Sequence, residues 1–220
     1  ALLFAEIMEE AGLPPGVLSV LPTTDEAMGD TLFSDHRVKL ITFTGSARVG
    51  RILSELAGRY QKRIVLELGG KSPLVVLADA DLDYAVRSAA FGIFFNQGQV
   101  CMANSRIIVE EPIYDAFCEA FANKVKQVPF GNPALEQTAV GPLIDARQID
   151  FIQEHINEAV SKGATLLTGG QAVGNVLEPS VLVGVEPSMK VYNEESFGPL
   201  AAIYKARDFQ HAVDIANDTS

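Results

Sequence analysis

Short runs of β-branched and apolar residues alternate with longer stretches of helical periodicity along this chain, and no other feature constrains its fold as tightly. Strands are predicted over 16–21, 38–44, 63–68, 73–78, 105–111, 165–167, 176–183 and 200–204. Helices are predicted over 1–12, 47–58, 112–125, 145–163 and 208–218, with another running to about Phe95. Stop signals agree with these boundaries. Gly12, then Pro14 and Pro15, closes the first helix, and Asp79 or Asp81 caps the one that runs to Phe95. Thr23 or Thr24 is expected to cap a short acidic helix, and Pro112 to sit in a first turn. Val49, Ile52, Leu53 and Leu56 make one apolar stripe; Ile149, Ile152, Ile156 and Val160 make another, ended by Gly163. Strands that alternate with helices in this way argue an α/β fold with a largely parallel sheet. Gly69 and Gly70 supply a joint between two parts, 1–69 and 70–220.

Charge and composition narrow the function. Seventeen basic against 28 acidic residues give a net charge of −11, a field that repels a phosphate backbone and argues against nucleic acid as a partner. The longest purely apolar runs, such as 74–78, are too short to cross a bilayer, so no membrane is expected. The first ten residues carry acids and no basic region, unlike a signal peptide. The two cysteines, Cys101 and Cys118, do not form a C-x-x-C pair and have no nearby histidine, so no metal is expected. A reducing, cytoplasm-like compartment is the simplest setting for them.

Four stretches have the composition of a chemical site. In "ITFTGSARVG" a strand runs through Gly45 and Ser46 straight into a helix, which gathers free backbone N–H groups suited to a phosphate; a plain strand–helix turn with a serine cap fits equally. In "LELGGKSP", Glu67 ends a strand beside two glycines, where partial desolvation would raise its pKa toward that of a general base; a solvent-facing edge glutamate is the alternative. Lys71 pairs with a carboxylate or is simply a surface lysine. In "FNQGQVCMANS", Cys101 lies among amides and a glycine in a segment with available N–H groups, which can stabilise a thiolate or hold an oxyanion. Cys118, between Phe117 and Phe121, reads as packing. In "NEESFGPL", Glu195 followed by Phe197 can hold a ribose diol and pack a flat ring, or Glu194 and Glu195 are surface acids before a turn. The histidines at 36, 155 and 211 are isolated, and His155 is expected to face water or a helix neighbour.

Taken in order, "FTGS" with Gly50, "LELGGKSP", "FFNQGQVC", "GPLI" and "EESFGPL" resemble the signature segments of the aldehyde dehydrogenase superfamily, as do "AGLPPGVLSVL" and "AVDIAND". The resemblance covers nearly the whole chain. It implies oxidation of an aldehyde to an acid with NAD or NADP, through a cysteine thiohemiacetal and thioester. It implies that Cys101 is the nucleophile and Glu67 the general base. It also places Gly45 and Ser46 at the cofactor phosphates, Val49 where the adenine packs, Glu195 on the nicotinamide ribose and Phe197 beside it. The implied architecture is the C-terminal part of a Rossmann-like cofactor domain (1–69) followed by most of an α/β catalytic domain (70–220).

Segments of the family that bear an oxyanion-donating asparagine, an adenine-ribose lysine–acid set and a C-terminal oligomer contact have no counterpart here. The 220-residue piece is therefore expected to show little or no turnover, and the full-length protein to be a homo-oligomer, dimer or tetramer. "CMANSRIIVEEPIYDAF" and "GGQAVGNVLEPSVL" look most like the bacterial branch that acts on benzaldehyde- or vanillin-type aldehydes. Transfer of the acyl group to coenzyme A, and a catalytically silent structural module, are the rival functions. Glu67 favours hydrolysis over the first, and the presence of both Cys101 and Glu67 counts against the second.

Overall fold

The computed structural model describes residues 1–24 and 30–219. The chain divides into two compact units, Ala1–Leu68 and Gly69–Ser220.

In the first unit, helix α1 (Leu2–Glu10) buries none of its residues, and a single turn, α2 (Thr31–Ser34), buries Phe33. Strand β1 (Leu40–Gly45) leads into α3 (Ala47–Arg59), which returns the chain to β2 (Arg63–Leu68), parallel to β1. This β–α–β crossover is the connection that parallel strands require. Helix α3 buries Gly50 and Ala57 and half-buries Val49, Leu53 and Leu56, whereas Ile52 is exposed. The buried stripe therefore lies slightly to one side of the predicted one, because the glycine and alanine form the face that sits closest to the strands. Residues 16–21 form no strand: they gain no ladder partner among the described residues, and β-branched composition alone does not make one. The acidic helix expected after Thr24 falls at 25–29, outside the described residues.

The second unit is built on a five-stranded sheet in the order β3 (Pro73–Val76), β4 (Arg106–Glu110), β9 (Leu200–Ala206), β8 (Ser180–Val183), β5 (Thr165–Thr168). Only β5 runs antiparallel. Because successive side chains on a strand point to opposite faces, β4 sends Ile107 and Val109 to one layer and Ile108 to the other, and β9 sorts Ala201 and Ile203 from Ala202 and Tyr204. One face is covered by α4 (Leu82–Phe94) and α5 (Glu111–Val125), through Ile93, Phe94, Phe117 and Phe121. The other is covered by α6 (Ala146–Ser161), the single turn α7 (Lys190–Asn193) and α8 (Phe209–Asn217), through Ile149, Ile152, Ile156, Val191 and Ala212. Full burial of such a side chain is worth about 1.5–3 kcal/mol. Val160, expected in the α6 stripe, is exposed at the last turn. The predicted strand 176–183 is two: Pro179 supplies no N–H to a ladder. The first half, β7 (Val176–Leu177), folds back on β6 (Ala172–Val173), and the rest is β8.

Side-chain caps start the long helices where an aspartate was available. Asp81, Asp145 and Asp208 accept the backbone N–H of Tyr84, Gln148 and His211 at 2.9, 3.1 and 2.8 Å. At the other end of α8, the fully buried Arg106 guanidinium donates to the carbonyls of Ile215 and Asp218, the former also accepting the Asp218 N–H that closes the helix.

Candidate active site

Cys101 sits just beyond a strained turn. Helix α4 gives way to a 3-10 turn, Phe95–Gly98, in which Asn96, Gln97 and Gly98 have φ of 48°, 58° and 69°. Non-glycine residues held in this left-handed region cost on the order of 1–3 kcal/mol each. What the turn achieves is a close backbone approach. A Cβ at Gly98 would lie 2.2 Å from the carbonyl oxygen of Gly198, so the thiol-bearing segment is pressed directly on the Glu194–Pro199 segment. Asn96 Nδ2 donates to the Gln99 carbonyl at 3.1 Å, and the Ala103 N–H donates to the Val100 carbonyl at 3.0 Å. Cys101 and Met102 are thus the central residues of a second tight turn, and Cys101 is exposed. An open cavity of about 630 Å³ flanks this turn, lined by Val100 and Met102 on one side and Phe91, Phe95 and Leu74 among others on the rest.

Cys118 is the contrasting case. It is half-buried against the α4–α5 layer, and burial pushes its thiol pKa up, with the Tyr114 hydroxyl working in the opposite direction. One cysteine is presented to solvent by the backbone; the other packs.

The Glu194–Pro199 segment is gripped by one face of α6. Gln148 Nε2 donates to the carbonyls of Ser196 and Phe197 at 2.8 and 3.2 Å. Seven residues on, and so on the same face, the fully buried His155 places Nε2 3.2 Å from Glu194 Oε2 and Nδ1 3.4 Å from Ser196 Oγ. A carboxylate only accepts, so Nε2 carries the hydrogen and Nδ1 accepts from the serine. Burial holds the His155 pKa below its ordinary value, although Glu194 opposes this. Phe197, pinned by Gln148, has φ of 45° and is 39% exposed.

Glu195 is half-buried and lies on the Gly69–Gly70 backbone: a Cβ at Gly69 would be 1.8 Å from its Oε2. Only glycine admits the carboxylate there. Burial pushes its pKa up, and the Gly70 N–H and Lys71 hold it down. Lys71 is not a surface lysine: it is 5% exposed, and its Nζ has no hydrogen-bond partner. Nor does His155 face water. The clue for both was positional. Lys71 lies two residues before a strand of the sheet, and His155 is flanked by Ile152 and Ile156 among the buried residues of α6. The grip of Gln148 had no sequence signal, because it depends on carbonyls that lie 48 and 49 residues away.

In the first unit, Ser46 caps α3, its Oγ accepting the Val49 N–H at 3.3 Å. The serine hydroxyl thus serves its own helix, satisfying one of the first N–H groups of α3. Gly45 is half-buried under the Phe43 ring, and Val49 is half-buried. Glu67 pairs with Thr44 in the β1–β2 register and is exposed rather than desolvated, since the alternation of β2 turns Arg63, Val65 and Glu67 outward. No group of three or more metal-ligating side chains stands together among the described residues. No helix among them is long and apolar enough to cross a membrane.

The family model described as the aldehyde dehydrogenase family matches residues 1–220. Vanillin dehydrogenase of Pseudomonas fluorescens is 43% identical over 220 residues, which cover 99% of this chain and 46% of that protein. Among solved structures, succinate-semialdehyde dehydrogenase from Burkholderia pseudomallei aligns at a TM-score of 0.95 and 40% identity, over 100% of this chain and 46% of its own. Betaine aldehyde dehydrogenase from Staphylococcus aureus, in complex with NAD+, aligns at 0.92 and 34%, over 98% and 44%. The chain spans about half the length of the curated relatives it matches.

Proposed function

Because the chain belongs to the aldehyde dehydrogenase family, we propose that the protein carrying it oxidises an aldehyde to a carboxylic acid with NAD or NADP, using Cys101 as nucleophile. The observation that carries this is the backbone contact of Gly98 with Gly198, which sets the exposed Cys101 turn against the segment bearing Glu195 and Phe197. The residues present suit a dinucleotide. Glu195 is an acceptor seated for a diol, Phe197 offers a ring face, and Gly45, Ser46 and Val49 surround a helix start suited to a phosphate. Residues 1–69 then belong to the cofactor domain and 70–220 to the catalytic domain.

The Cys101 thiolate adds to the aldehyde carbon, and the carbonyl oxygen becomes an oxyanion within reach of backbone N–H groups of the turn. Bound cofactor supplies the hydride acceptor. Cys101 is left as a thioester. Glu67 takes a proton from water, which attacks the thioester carbon and releases the acid and the thiolate. The substrate class is an aromatic aldehyde, supported by the likeness to vanillin dehydrogenase and by the apolar, aromatic-lined cavity beside Met102. Two free thiols suit a reducing cytoplasm.

Alkylation separates the two cysteines. Iodoacetamide should label Cys101 in the native protein and Cys118 only after unfolding, and Cys101→Ser should abolish oxidation while leaving cofactor binding intact. Equal labelling of the two thiols, or oxidation that survives the serine variant, would overturn the proposal.

A further inference from the structure

Lys71 has a charge that its surroundings do not explain. It lies in the turn that enters β3, almost wholly buried, with no hydrogen-bond partner for Nζ. A buried, unpaired ammonium is costly, so a residue that keeps one must be balanced by something nearby. The charged and titratable groups that face it are Arg106 at the start of β4, His155 on α6 and Glu195. Arg106 is committed to the α8 carbonyls and lies 5.4 and 5.6 Å from the Tyr192 and Tyr204 rings, and its like charge only adds to the cost. His155 is already satisfied by Glu194 and Ser196. Glu195 is left as the counter-charge, and its carboxylate rests on the same Gly69–Gly70 backbone that leads into Lys71.

We propose that Lys71 is a positioning residue for Glu195: its buried ammonium keeps the carboxylate ionised and seated on the Gly69–Gly70 backbone, so that both oxygens accept from a ribose diol. This rests on the assignment of Glu195 to the cofactor ribose. Burial drives Glu195 toward the protonated form, and a neutral carboxyl would have to donate where the diol needs an acceptor. Lys71 itself is shifted down to about 8, by burial first and Arg106 second, with Glu195 opposing. The pair is therefore most effective in the pH range where the acid is ionised and the lysine still protonated.

The test is calorimetric binding of NAD+ or NADP+, whichever the full-length wild-type protein holds more tightly, followed from acid to alkaline pH. Lys71→Met should weaken binding about tenfold near neutrality and move the acid-side loss of affinity upward by about one pH unit. Lys71→Arg, which stays charged, should restore most of the affinity and remove the alkaline decline that sets in near pH 8 in the wild type. Glu195→Gln should weaken binding and erase the acid limb. If Glu195→Gln weakens binding but Lys71→Met keeps both the affinity and the acid limb of the wild type, Lys71 only fills space and the proposal fails. If Glu195→Gln binds as tightly as the wild type, the ribose assignment fails, and this proposal with it. Should Lys71→Met not fold, the arginine variant decides: an alkaline limb unchanged from wild type overturns the inference.

Discussion

The two units are made of similar sequence patterns yet bury them to very different depths. In Gly69–Ser220, β4 and β9 are covered on both faces, and their consecutive residues are buried almost without interruption. In Ala1–Leu68, β1 and β2 are also rich in apolar residues, but every second residue is exposed, Leu40 and Val65 among them. Helix α1 shows the same thing, with Leu2, Leu3, Phe4 and Ile7 exposed. A parallel pair ordinarily needs cover on both faces. Among the described residues, apolar content alone therefore does not set burial; what counts is how many layers share it. The second unit has two helical layers around a five-stranded sheet, and the first has one helix on two strands.

The largest effect that would break this comparison is a truncation in each unit. Phe121 is fully buried, 5.6 Å from the Phe117 ring and 6.4 Å from Phe94. Phe121→Ala should cost about 3–5 kcal/mol, seen as a large fall in the urea midpoint. Ile52, on α3, is 47% exposed, so Ile52→Ala should cost under about 1 kcal/mol. Equal losses would mean that the exposed face of α3 is in fact covered in solution.

Local signals made most elements legible in the sequence. Asp81, Asp145 and Asp208 cap helices through hydrogen bonds to the N–H three residues on, and Gly163 ends α6 with φ of 105°. These depend on neighbours within one turn. Residues 16–21 were misread because a strand exists only through its partner, and Val160 because a stripe at a helix end can run past the surface it packs on. The site divides in the same way. Cys101 stood out by its polar setting, and Glu195 and Phe197 only through the resemblance of their segment to the family's, whereas the contacts that hold these residues in place cross long sequence separations. Gly98 meets Gly198, His155 meets Glu194, and Gln148 meets the Phe197 carbonyl. No periodicity announces such a pair.

Hydrogen exchange would sharpen the comparison at the level of single amides. The amides of β4 and β9 hydrogen-bond inside a sheet buried on both faces, so they should exchange only when the second unit unfolds globally. Those of β1 and β2 form one two-stranded ladder and should exchange at least about tenfold faster, through local opening. Uniform protection across both ladders would contradict the picture of a thinly covered first unit.

The smallest expected effect concerns the one fully buried histidine of the second unit. Burial holds the His155 pKa below 6.5, against the opposing pull of Glu194 and Glu154. On acidification the unfolded chain takes up that proton before the folded one does. The stability present above about pH 6.5 is therefore lost as the pH falls toward the folded value. In His155→Asn the amide can still bond to Ser196 or Glu194 but does not titrate. Its urea midpoint should start lower near neutrality and then fall less steeply on acidification. The acid-labile ion pairs elsewhere, such as Asp145 with Arg147 and Glu158 with Lys162, are common to both proteins, so the difference in slope isolates position 155. Parallel slopes would mean that folding leaves the imidazole pKa unchanged, and a shallower fall in the wild type than in the variant that the folded protein holds the proton more tightly. The His155 contact with Glu194 would then be an ion pair rather than a neutral hydrogen bond, and the grip of α6 on the Glu195 segment would strengthen in acid instead of weakening.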